Sequence, residues 1–115
     1  EYFEKEPTGP GTGVNDGGVF VSKLDYPRPN PFNPRTTVEY TVATPGHVTL
    51  RVYDLAGRAV RTLVDGDVEV GEHRVVWDGT TDAGQRAASG VYFVRLESFD
   101  GSKTEEATQK LVLLY

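Results

Sequence analysis

Two carboxylates four residues apart, Asp78 and Asp82, lie in the run Trp77-Asp78-Gly79-Thr80-Thr81-Asp82-Ala83-Gly84-Gln85. Together with loop carbonyls they could supply the hard oxygen donors that calcium prefers, although the spacing is not that of an EF-hand. The same run suits a turn, in which Asp side chains accept from backbone amides and glycines permit the bend, and that is its commoner use. Asp65 and Asp67 read the same way. Glu105 and Glu106 are adjacent, which on a strand places them on opposite faces, the wrong arrangement for paired acid/base work and a suitable one for keeping a sheet edge soluble. Nucleophilic catalysis would need a hydroxyl beside a histidine held by an acid, and the two histidines, His47 and His73, both fall within strand-like stretches. No Gly-x-Ser-x-Gly occurs. These residues do not read as an enzyme, and no cofactor is expected apart from the calcium alternative.

The chain that must position them has 115 residues, room for one core but not for a core and a deep cleft. Its net charge is -5, from 17 acidic and 12 basic residues, and the basic ones are scattered, so no phosphate-tracking stripe forms and nucleic acid is not an expected partner. Cysteine is absent, which removes disulfides, thiolate metal sites and thiol nucleophiles together. Methionine is absent too, so the chain reads as a processed product or a fragment. No apolar run approaches membrane-spanning length.

Residues 1–18 hold Pro7, Gly9, Pro10, Gly11, Gly13, Gly17 and Gly18 and read as a linker or an extended arm. From Val19 to Tyr115 short β-branched and aromatic stretches alternate with turn residues. Val38, Tyr40 and Val42 share one period-two face, as do Val48, Leu50 and Val52, then His73, Val75 and Trp77, then Tyr92, Val94 and Leu96. Thr44-Pro45-Gly46 makes one turn, and a strand over 58–64 is expected to close at Asp65-Gly66-Asp67. Thr108 to Tyr115 reads as the last strand. Pro27, Pro29, Pro31 and Pro34 cannot donate to a ladder and belong at a sheet edge or a crossing between sheets. The expected fold is an all-β, seven-stranded antiparallel immunoglobulin-like sandwich with an extended N-terminal arm. Tyr2, Phe3, Tyr26, Phe32, Tyr53 and Phe99 exceed what such a core needs; they cap the sandwich ends or form a carbohydrate platform.

Taken in order, Tyr26-Pro27-Arg28-Pro29-Asn30-Pro31-Phe32-Asn33-Pro34, Val52-Tyr53-Asp54-Leu55-Ala56-Gly57-Arg58, Trp77-Asp78-Gly79, Ser89-Gly90-Val91-Tyr92 and Lys110-Leu111-Val112-Leu113-Leu114 resemble the type A C-terminal sorting domain of the type IX secretion system. The same pattern is similar to the Ig-like domain of flagellar hook capping proteins. The first resemblance implies that Pro29, Pro31, Gly90, Tyr92 and Lys110 are features by which an exported cargo is recognised, on a module without catalytic activity. The opening departs from that family's Tyr-Pro-Asn-Pro by a two-residue insertion. The residue types also have structural uses: Gly90 for a tight strand entry, Tyr92 to fill the sandwich, Lys110 to keep an edge soluble.

The leading expectation is therefore a secretion-sorting or cell-surface anchoring module, secreted or at the cell surface, whose partner is the secretion machinery. The alternative is a self-assembling filament subunit that pairs with neighbouring copies of itself, its arm adding a strand to a neighbour's sheet with Tyr2, Phe3 and Val14 as apolar anchors. A calcium- or carbohydrate-binding accessory module, using Asp78 and Asp82, is the third.

Overall fold

The alternating segments meet in two layers. The computed structural model describes residues 22–114, so the arm, with Tyr2, Phe3 and Val14, lies outside the described residues. Seven strands follow one another: β1 (Lys23–Leu24), β2 (Thr36–Val42), β3 (Gly46–Asp54), β4 (Ala59–Val68), β5 (Gly71–Trp77), β6 (Gly90–Phe99) and β7 (Thr104–Leu113). One sheet has the order β1-β2-β5 and the other β4-β3-β6-β7, and the paired strands are antiparallel. No helix of the described residues is long and apolar enough to cross a membrane.

The period-two pattern decides which side of each strand is dry. In β2, Thr36, Val38, Tyr40 and Val42 are buried while Thr37, Glu39 and Thr41 are not. They face Val48, Leu50 and Val52 of β3, Val94 and Leu96 of β6, and Leu111 and Leu113 of β7 across the sandwich. Each such Val or Leu, fully removed from water, contributes about 1.5–3 kcal/mol to the gross stabilisation. His73 and Val75 point to the same interior from β5 but are only half-buried, because β5 is the outer strand of its sheet.

Two boundaries differ from the sequence expectation. β4 does not stop at Asp65-Gly66-Asp67 but runs through them to Val68, since the first residues of β3 require partners: Gly46 pairs with Val68, His47 with Asp67, Val48 with Gly66 and Thr49 with Asp65. β7 starts at Thr104 rather than Thr108, continuing the ladder from Phe99↔Thr104 to Gly90↔Leu113.

At Gly46 the packing demands the absence of a side chain. A Cβ there would lie 2.2 Å from the Phe99 carbonyl oxygen and 3.0 Å from Asp100 Cα, both backbone atoms that cannot swing away. Gly46→Ala is expected to destabilise the domain by about 1–3 kcal/mol, read as a lower urea midpoint at unchanged slope.

Three turns are tied by aspartates. Asp54 Oδ1 accepts from the amides of Ala56 and Arg58, both at 2.9 Å, and its Oδ2 takes Arg58 Nε at 2.9 Å. Asp100 Oδ1 accepts from the amides of Ser102 and Lys103, both at 2.9 Å, and Asp78 Oδ1 from the Thr80 hydroxyl at 2.6 Å. Each carboxyl is held below its ordinary value of 3.8, chiefly by the Arg58 amide, the Lys103 amide and the Thr80 hydroxyl respectively. A carboxyl that ionises more readily folded than unfolded stabilises the fold above the unfolded-state value, and that contribution is lost as the pH falls through the folded values. Urea midpoints should therefore fall from pH 4 downward, and fall less steeply in a variant with all three aspartates replaced by asparagine.

Candidate functional site

The proline-rich segment crosses from one sheet to the other and closes the sandwich along β7. Arg28 exchanges backbone hydrogen bonds with Thr37 of β2, at 3.1 and 2.8 Å, and four residues later Phe32 bridges Leu113 of β7 in parallel. The Phe32 amide donates to the Val112 carbonyl at 2.9 Å, and the Leu114 amide donates to the Phe32 carbonyl at 3.0 Å. Pro29 and Pro31 have no amide hydrogen to offer, and the Asn30 side chain supplies what they lack. Its Nδ2 donates to the Lys110 carbonyl at 2.7 Å and its Oδ1 accepts from the Val112 amide at 2.9 Å. One side chain and one backbone unit thus act as a short additional strand on the last turn of the ladder, joining segments about 80 residues apart.

Three of the residues assigned to the sorting motif, Gly90, Tyr92 and Lys110, lie on β6 and β7 at this seam, and Pro29 and Pro31 flank the Asn30 that closes it. On the inner side of β7, Gly90 pairs with Leu113, Tyr92 with Leu111 and Phe93 with Lys110; on its outer side lie Pro29 and Pro31. Their roles divide. Pro29, Pro31 and Lys110 are exposed, whereas Tyr92 is buried and its hydroxyl donates to the Ala88 carbonyl at 2.5 Å. Tyr92 stands in edge contact with Trp77, ring centroids 5.5 Å apart, and Trp77 in turn packs on Phe32 at 5.4 Å. Tyr92 therefore supports the seam from beneath. A Cβ at Gly90 would meet nothing within 4 Å, so packing does not require glycine there.

The oxygens considered for calcium are taken by protein donors. Asp78 Oδ1 holds the amide and hydroxyl of Thr80, at 3.1 and 2.6 Å, while Asp82 Oδ1 accepts from the Thr62 amide at 3.0 Å. Arg61 enters the loop itself: Nη1 donates to Thr80 Oγ1 at 2.7 Å and to the Thr81 carbonyl at 3.3 Å, and Nε lies 3.9 Å from Asp82 Oδ1. A guanidinium thus lies within this loop, beside the Asp82 carboxylate. Among the described residues no group of three or more His, Cys, Asp or Glu is placed to hold a metal.

His47 Nε2 contacts Asp65 Oδ1 at 2.7 Å and its Nδ1 lies 3.7 Å from Asp67 Oδ1, on an exposed face. His73 stacks on Tyr40 and bonds through Nε2 to the Glu69 carbonyl at 2.7 Å. These partners are two carboxylates and a carbonyl, with no hydroxyl nucleophile. A surface hollow of about 340 Å³ beside His73 is lined by Asp25, Glu39, Glu72 and Arg74. Of the surplus aromatics, Phe32 is a core residue, Tyr26 and Phe99 are exposed, and Tyr53 lies on the outer face of the four-stranded sheet.

Asn30 and Arg61 were not singled out by sequence reasoning, and Phe32, expected to be surplus to the core, is part of it. A signal for Asn30 exists: in a run with proline at 29, 31 and 34 few backbone amides remain to pair, and an asparagine side chain can supply a donor and an acceptor in their place.

A family model described as the FlgD Ig-like domain matches residues 33–102. The basal-body rod modification protein FlgD of Escherichia coli is 33% identical over 91 residues, a match covering 79% of this chain and 34% of that protein. The chain therefore spans about a third of the relative's length. Among solved structures, dimeric latent PorU from Porphyromonas gingivalis superposes over 88% of this chain and 10% of its own, with TM-score 0.69 and 21% identity. FlgD from Xanthomonas campestris, described with respect to hook capping in flagellar assembly, matches over 80% of this chain and 66% of its own, with TM-score 0.53 and 24% identity. At these identities the structures establish the immunoglobulin-like sandwich and nothing finer. The expectation of a secreted or cell-surface product is corrected by the sequence match, which is to the FlgD Ig-like domain family and a basal-body rod modification protein. The ordered motifs that prompted the expectation are shared by two families of one fold, and a fold carries no address.

Proposed function

Because the chain belongs to the FlgD Ig-like domain family, we propose that it is a non-catalytic scaffold domain of a hook-capping type of assembly, working by protein contact through its sheet edges and faces. The observation that carries this reading is the family match across residues 33–102, which spans β2 to β6 and the loops between them. The chemistry agrees with it. The histidines are engaged by the Asp65 carboxylate and the Glu69 carbonyl, and the interior is filled by Val, Leu, Trp and Tyr side chains. Purified chain mixed with isolated flagellar hooks from the organism that makes it should sediment with them. Retention of the folded chain in the supernatant at every concentration would overturn the reading.

A second reading, a sorting module taken up by a secretion machinery, is favoured by one observation: Asn30, flanked by the exposed Pro29 and Pro31, bonds the backbone of the exposed Lys110. Its test is uptake of a fused reporter with and without residues 110–115. Equal uptake of both would dispose of it.

A further inference from the structure

The four-stranded sheet turns one face to the core and leaves the other uncovered among the described residues. Register and alternation arrange that outer face in four rows running across β3, β6 and β7. In order they are Tyr53–Phe93–Lys110, Arg51–Arg95–Thr108, Thr49–Glu97–Glu106 and His47–Phe99–Thr104. β4 extends them with Ala59, Thr62, Asp65 and Asp67 respectively.

Two features of this face are unusual for a solvated sheet. It carries Tyr53, Phe93 and Phe99, the last 47% exposed. It also sets like charges directly opposite one another, Arg51 against Arg95 and Glu97 against Glu106, pairings that destabilise a sheet facing only water. The Arg95 guanidinium lies 5.1 Å from the Tyr53 ring centroid, and its Nη1 is 3.7 Å from Glu97 Oε2. The two inner rows are opposite in sign and the two outer rows are both aromatic. The face is thus its own complement under a half turn.

We propose that this face is the interface for a second copy of the chain, docked about a two-fold axis that lies in the interface, across the strands, between the arginine row and the glutamate row. Such a rotation carries each row onto its opposite: Arg95 over Glu97 of the partner subunit, Phe93 over the partner's Phe99, Tyr53 over the partner's His47. Each contact is made twice, as an isologous interface requires. Sheets packed face to face with strands within about 30° of each other are an ordinary arrangement at about 10 Å separation. Four strands about 4.8 Å apart and four rows about 6.7 Å apart give a footprint of roughly 500 Å² per copy, about 1,000 Å² in total, the lower end for a specific complex. The dimer is accordingly concentration-dependent, and it weakens with salt because its central contacts are charged. The inference rests on the scaffold reading above and names the neighbour such a domain would contact.

The test is sedimentation equilibrium on the full chain, with two single variants and their mixture. Arg95→Glu alone sets carboxylate over carboxylate, and Glu97→Arg alone sets guanidinium over guanidinium, so each should raise the dimer dissociation constant about tenfold or more. Mixed in equal amounts, the two variants restore both attractive pairs, and heterodimers should form at wild-type concentrations. Misfolding of either variant cannot mimic that rescue. A wild-type chain that stays monomeric to millimolar concentration, or a mixture no more associated than its components, would overturn the inference. Dimers insensitive to either substitution would also overturn it, by placing the contact elsewhere. Since hook co-sedimentation is read separately, failure here leaves the scaffold reading standing, and failure there leaves the dimer as measured but removes its place in such an assembly.

Discussion

Trp77→Ala lowers the unfolding free energy by about 3–5 kcal/mol, the largest loss expected from any single truncation in this domain. Trp77 has no exposed surface, and it links the two ends of the seam by packing on Phe32 and on Tyr92. Its indole Nε1 also donates to the Thr80 carbonyl at 2.8 Å, which ties the loop after β5 to the core. Alanine leaves a cavity that the surrounding strands cannot collapse into without breaking register, and leaves that carbonyl unpaired. In a domain of this size each kcal/mol corresponds to about 4–8 °C in Tm, so thermal unfolding should shift down by more than about 12 °C. Trp77→Phe retains much of the ring packing but not the donor, and should cost only about 1–2 kcal/mol. A Trp77→Ala protein within about 1 kcal/mol of wild type would mean that the aromatic cluster does not support the fold as described.

The second large effect is expected at Asn30. Asn30→Leu keeps the size of the side chain and removes both bonds to β7, at the exposed Lys110 carbonyl and the part-buried Val112 amide. The cost is about 1–3 kcal/mol, and its distribution is diagnostic. Amide exchange at Val112 and Leu114 should accelerate about tenfold or more, while the central amides of β3 and β6 follow only the global change. Asn30→Asp separates the two bonds: the carboxylate can accept from Val112 but cannot donate to Lys110 until it is protonated. It should therefore exchange faster than wild type at neutral pH. Unaltered exchange at Val112 and Leu114 in both variants would show that the Phe32 backbone holds the seam alone.

The strands that were easiest to read are those with one wet and one dry side. β2, β3 and β6 alternate strictly, and burial follows the alternation residue by residue. Asp65-Gly66-Asp67 has the composition of a turn, yet it lies within β4 because its neighbours across the ladder, His47 to Thr49, need partners and His47 sits between the two carboxylates. Local composition carries no information about such a partner. β1 is two residues long and exists only through its pairing with Tyr40 and Thr41. The placement of the proline segment at a crossing between sheets was legible, because proline cannot donate. The clamp it makes was not, since Asn30 meets Lys110 and Val112 only after the whole sandwich has closed. Arg61 likewise reaches the Thr80–Asp82 loop from a strand about twenty residues earlier, a contact that the acidic turn read alone does not announce. The order of motifs pointed to two families of one fold, and order alone could not choose between their settings.

The central claim is that this domain serves by contact within a hook-capping type of assembly. Its most direct test is a chimera in which the segment of Escherichia coli FlgD that matches this chain is replaced by the corresponding residues of the chain, expressed in cells lacking their own FlgD and scored by electron microscopy for completed hooks. The account predicts that hooks form, and that they are lost when the transplanted domain carries Trp77→Ala. A chimera that accumulates as a folded protein at normal levels yet yields no hooks would contradict it.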